Sequence, residues 1–97
     1  MSGKLKFAEL DVLKSQEPGI EKYSRELSDF DGVTTVKISV VEIDAKTETL
    51  QIAIEGKDIE LDRIKEKIKE LGGTVHSVDM VISSKKKLSG TAFLGSE

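Results

Sequence analysis

Apolar and polar residues alternate along Leu5 to Leu13. Ala8, Leu10 and Val12 fall on one side; Leu5, Phe7, Glu9 and Asp11 fall on the other. Successive side chains of a strand point to opposite faces, so this stretch predicts a strand with one clean apolar face. After a polar loop, Lys14-Ser15-Gln16-Glu17, comes Pro18, which suits the first turn of a helix because its missing N–H is not needed there. Ile20, Tyr23, Leu27 and Phe30 follow at spacings of three, four and three, one stripe of a helix that Asp31-Gly32 stops.

The β-branched run Val33 to Ile43 predicts a second strand, with Val36, Ile38 and Val40 on one face and Lys37, Ser39, Val41 and Ile43 on the other. A short polar hairpin loop, Asp44 to Glu48, leads into a third strand whose apolar face is Leu50, Ile52 and Ile54 and which Gly56 ends. Asp58 or Glu60 is placed to cap a second helix, with Ile59 packing just before it. Leu61, Ile64, Ile68 and Leu71 repeat the three-four-three stripe up to Gly72-Gly73. Thr74 to Ser83 predicts the fourth strand.

The order is therefore β-α-β-β-α-β. Two right-handed β-α-β units make an α+β, ferredoxin-like fold: a four-stranded antiparallel sheet with both helices on one face. In this arrangement the first and third strands are central. Residues 1–84 form this one domain and 85–97 a C-terminal tail, flexible or ordered by a partner, with a small apolar knot at Ala92-Phe93-Leu94.

The far face of the sheet would expose Leu5, Phe7, Val41 and Ile43, a group too apolar for water. Such a patch predicts an interface, here with further copies of the chain.

Composition narrows the chemistry. Ninety-seven residues make one domain; 37% are apolar and 34% charged, with mixed signs and a net charge of −3. Charge enrichment without Cys or Trp fits a thermophile. A nucleic-acid binder needs a basic surplus, and the sole basic run is Lys85-Lys86-Lys87. The third strand also lacks the aromatic residues on which RNA bases stack. No Cys means no disulfide, thiolate metal site or Cys nucleophile. No apolar stretch approaches the roughly 18 residues of a membrane span, and no signal-peptide core opens the chain, so a cytoplasmic protein is expected.

Two candidate sites remain. Asp11, Asp79 and Glu9 can converge with Ser77 where the fourth strand runs beside the first, and carboxylate oxygens suit calcium or magnesium. His76, the single histidine, would draw a transition metal instead. The competing reading is a set of solvated or ion-paired carboxylates. His76 lacks an orienting partner and a reachable nucleophile, so it does not define an enzyme. An Asn is absent altogether and both arginines lie on helices, which removes the acylphosphatase solution of this fold. An enzyme of another class stays open as an alternative.

The second site is Glu17-Pro18-Gly19-Ile20, which resembles the Asp-x-Pro-Gly-x-Leu helix start of ACT domains. That resemblance implies a regulatory module binding an amino acid or similar metabolite at Pro18 and Gly19.

Over most of its length the chain resembles the archaeal Domain of Unknown Function family 211. The matching stretches are Leu10-Asp11-Val12-Leu13-Lys14, Glu17-Pro18, Val40-Val41-Glu42-Ile43-Asp44, Ile54-Glu55-Gly56, Gly72-Gly73 and His76-Ser77-Val78-Asp79. Met80 stands where the family continues with Glu. The resemblance implies a ferredoxin-like fold, a ring-like or other higher homo-oligomer, a divalent cation at carboxylates, and no established activity.

Overall fold

The computed structural model describes residues 3–86. Six elements follow in order: β1 (Lys4–Ser15), α1 (Ile20–Ser28), β2 (Val33–Ile43), β3 (Thr47–Gly56), α2 (Leu61–Glu70) and β4 (Gly73–Ser84). The strands form one sheet in the order β2-β3-β1-β4, and every neighbouring pair is antiparallel. This is the α+β ferredoxin-like arrangement that the alternation and the two helical stripes predict. Residues 87–97, which include most of the expected tail and its apolar knot, lie outside the described residues.

The core is where periodicity places it. Ala8, Leu10 and Val12 of β1 and Leu50, Ile52 and Ile54 of β3 are fully buried. Tyr23 and Leu27 of α1 and Ile64 and Ile68 of α2 close over them. Burying each such side chain is worth about 1.5–3 kcal/mol, so these few stripes supply most of the driving force.

The helix starts differ from expectation. Pro18 precedes α1 instead of opening it; Gly19 is the N-cap, and its carbonyl accepts from the Lys22 and Tyr23 amides at 3.2 and 3.4 Å. Glu60 occupies the N-cap position of α2, but its side chain makes no capping bond and instead meets Arg63 Nε at 3.1 Å. Ile59 is buried beside it, as a staple requires. Gly32 and Gly72 follow the two helices with positive φ, 88° and 94°, the left-handed step that glycine takes at least cost.

Both edge strands are bulged. Along β2 the pairing with β3 skips Thr34 and Val41. Along β4 the pairing with β1 skips His76 and Asp79, and Lys6 is skipped on β1. Each extra residue reverses the inward and outward parity beyond it. Val33 and Leu5 thereby turn onto the core. Ile43 falls opposite Glu48, on the helix side and not on the far face. Val75, Val78 and Val81 pair with Val12, Leu10 and Ala8, so all three face the helix side at a spacing of three.

The sheet outreaches its roof. A 12-residue strand spans about 40 Å at ~3.3 Å per residue. Helices of 9 and 10 residues span about 15 Å. Among the described residues seven large apolar side chains stay exposed: Leu13, Val40, Val41, Ile43, Val78, Met80 and Val81. All but Leu13 belong to the two edge strands. Among the described residues no helix is long and apolar enough to cross a membrane.

Candidate functional site

The carboxylates expected to converge lie on the face away from the helices. Glu9 sits between Ala53 of β3 and Met80 of β4; Asp11 sits between Gln51 and Ser77. Asp79, in its bulge, accepts a 2.7 Å hydrogen bond from Ser77 Oγ. Ser77 therefore stands next to both aspartates. His76 is exposed and occupies the other β4 bulge. Among the described residues no three His, Cys, Asp or Glu side chains are grouped as a metal site. Calcium takes six to eight oxygen ligands, so one copy of the chain does not offer it a complete shell.

Pro18 and Gly19 are joined to α1, and the Glu17–Pro18 bond is cis. A Cβ placed on Gly19 would lie 2.6 Å from Glu21 Oε1. The Glu21 carboxylate thus sits over the start of α1, where backbone N–H groups favour an anion. An incoming ligand carboxylate would have to displace it.

The four residues expected at an interface do not form one surface. Phe7 is 2% exposed, between Glu55 and Ile82, and is not part of the main core cluster. Leu5 packs on the core. Val41 and Ile43, by contrast, are 57% and 68% exposed at the β2–β3 end of the sheet.

A polar centre that sequence reasoning missed is Lys14. Its side chain is wholly buried, and Nζ donates to the carbonyls of Ser15 (2.8 Å) and Gln16 (3.1 Å). Glu48 Oε1 lies 2.9 Å away, and the ammonium stands 5.6 Å from the Tyr23 ring centroid. Tyr23 Oη in turn donates to the Leu71 carbonyl at 3.0 Å, and burial raises the tyrosine pKa. Four elements meet through two side chains. The signal was in the sequence: Lys14 continues the inward parity of Ala8, Leu10 and Val12. Among the described residues no buried side-chain polar atom is left without a partner, so this cluster fastens the fold and offers no free group for chemistry.

Surface depressions flank the helices. One, of about 390 Å³, is lined by Asp29, Phe30, Asp31, Gly32, Asp58, Glu60 and Arg63. Another, of about 250 Å³, is lined by Lys65 and Lys69 of α2 and by Gly73, Thr74 and Val75 at the start of β4. Neither pairs a nucleophile with a base.

Fold and surface together define a small ferredoxin-like domain without a catalytic constellation among its described residues. Residues 7–93 match the uncharacterized ArCR family, Domain of Unknown Function family 211, and the chain belongs to it. It is 43% identical over 77 residues to the uncharacterized protein MJ0319 of the archaeon Methanocaldococcus jannaschii, a match covering 79% of each chain. Neither description names an activity.

Proposed function

We propose that this chain is a self-associating, non-enzymatic domain. The observation behind this reading is the pair of uncovered edge strands: among the described residues, six of the seven exposed large apolar side chains are on β2 and β4. A strand edge presents unpaired backbone N–H and C=O groups, and solitary proteins blunt such edges with charge, proline or cover. Here the edges are 11 and 12 residues long and contain no proline; beside Lys37, Glu42 and Asp79 they bear exposed valine, isoleucine and methionine. Pairing with another copy satisfies the backbone and dries the apolar side chains in one step. Bulges shorten the regular ladder and raise its twist, which limits pairing to a partner of matching shape.

A divalent cation fits this reading only as a ligand shared between copies, since Asp11, Asp79 and Glu9 of one copy fall short of a shell. An amino-acid site at Pro18 and Gly19 is the weaker alternative, because Glu21 already occupies the helix start. Light scattering across a concentration series tests the main reading. A mass well above the 10.6 kDa chain is expected; a monomer at every concentration would end it.

A further inference from the structure

Independently of how copies meet, we infer that the far face of the sheet carries a docking site for the chain's own segment 87–97, which folds back and seats Ala92-Phe93-Leu94 on Phe7 and Ile82.

Phe7 leads there. It alternates with Ala8, Leu10 and Val12 of the core, so its ring points away from both helices. Its neighbours Glu55 and Ile82 flank it within the sheet and leave its upper side to be covered. Full burial of a ring needs atoms on every side. Yet Phe7 is 2% exposed and Glu55 beside it 8%. Leu13, on the same face of the same strand, is 44% exposed, and Met80, opposite Glu9, is 45%. Glu9, Asp11 and Ala53 are partly buried. The far face is thus closed at one end and open at the other. A second sheet laid face to face would cover Leu13 and Met80 as well; a short segment covers one end only.

The segment starts at the closed end. Ser84 pairs with Lys4, and Ile82 pairs with Phe7. The Lys86 amide donates to Ser84 Oγ at 3.0 Å, a turn that takes the chain out of the strand. Going back from Lys86 to the level of Ile82 takes about 13 Å. Phe93 lies seven residues past Lys86, a reach of about 23 Å, with Gly90 on the way as a point to bend. Ala92-Phe93-Leu94 then sets apolar atoms on an apolar end of the sheet.

Charge fits the same path. Lys37 of β2 stands on the far face opposite Ala53, two strands and two residues from Phe7, about 12 Å away. Glu97 follows Phe93 by four residues, about 13 Å of extended chain. Neither Phe7 nor Lys37 is without a partner. One segment crossing the sheet supplies both, ring against ring and carboxylate against ammonium. It acts as a strap: it withholds Phe7 and Ile82 from other molecules and leaves the opposite end of the face, with Leu13, open.

The chain has no Cys, so an introduced pair reports on this contact without interference. Ile82→Cys with Leu94→Cys should close a disulfide within one chain under oxidised glutathione. It should do so at least tenfold faster than Leu13→Cys with Leu94→Cys, and Phe93→Ser added to the first pair should remove the advantage. Circular dichroism confirms that each variant folds; where Ile82→Cys does not, Glu9→Cys takes its place. Equal rates for the two pairs would mean that the segment has no seat on this face, and overturn the inference. A bond formed only between chains, seen as a doubled mass on a non-reducing gel and in an equal mixture of the two single variants, would mean that a second copy covers Phe7, and overturn it too. Either failure leaves the reading of the edge strands untouched.

Discussion

Lys14 Nζ and Glu48 Oε1 lie 2.9 Å apart across the β1–β3 pair, and the lysine side chain has no exposed surface while that of the glutamate keeps 21%. The asymmetry decides what each partner does when the other is removed. Glu48 can turn to water; Lys14 cannot. Losing Glu48 strands a buried cation with two carbonyl acceptors, and breaking a buried pair in this way costs about 3 kcal/mol. Lys14→Met keeps an apolar stem and leaves only groups that water reaches, at about 1 kcal/mol. Urea unfolding of Glu48→Ala and Lys14→Met should show the glutamate variant as the less stable. The reverse order would mean that the lysine's bonds to Ser15 and Gln16, not its charge balance, hold this end of the sheet.

Tyr23 connects the same end of the sheet to α2, and burial holds its pKa above the ordinary 10.0. Below pH 10 the phenol is protonated in both folded and unfolded chains, so its full contribution is present. Above that the unfolded chain ionises first and binds fewer protons than the folded one, and stability falls as pH rises through the folded value. As the chain's one tyrosine, with no tryptophan, it reports by phenolate absorbance without interference. The folded protein should titrate above 10.0, with loss of stability over the same range. A folded-state midpoint at or below 10.0 would show that the ring is open to water.

Glycines differ in what they bear. A Cβ on Gly56 would run into the Gly32 carbonyl, which also accepts the Lys57 amide at 2.7 Å. A Cβ on Gly72 meets nothing nearer than Ser15 Oγ at 3.5 Å, so its cost is the positive φ alone. Gly72→Ala should lower stability by about 1 kcal/mol, in line with a left-handed alanine. Gly56→Ala should cost clearly more, because backbone has to move. Equal shifts in thermal midpoint would refute the close approach of these two loops.

The sequence made the fold legible because its two strongest periodicities, two and 3.6, fall in separate segments with Gly or Pro between them. That pattern puts Leu10, Ile52, Tyr23 and Ile64 in the core, where they are buried. What alternation could not supply was the bulges. Nothing in Val40-Val41-Glu42 or His76-Ser77-Val78 announces an extra residue, yet each one reverses the faces beyond it. For that reason plain alternation puts Ile43 on the wrong side and hides the common face of Val75, Val78 and Val81. Lys14 was missed for a different reason: a charge is expected outside, and only the hydrogen-bonding partners around it explain its burial. Strand order alone puts β4 beside Asp11; Ser77 pairs with Asp11 across that ladder and donates to Asp79.

The central claim is that β2 and β4 are junctions between copies, and amide hydrogen exchange along these two strands tests it most directly. The outward amides of β2 and β4 should exchange slowly at high protein concentration and speed up on dilution, while those of β1 and β3 hold steady. Edge amides that exchange fast, and equally fast, at every concentration would contradict the account.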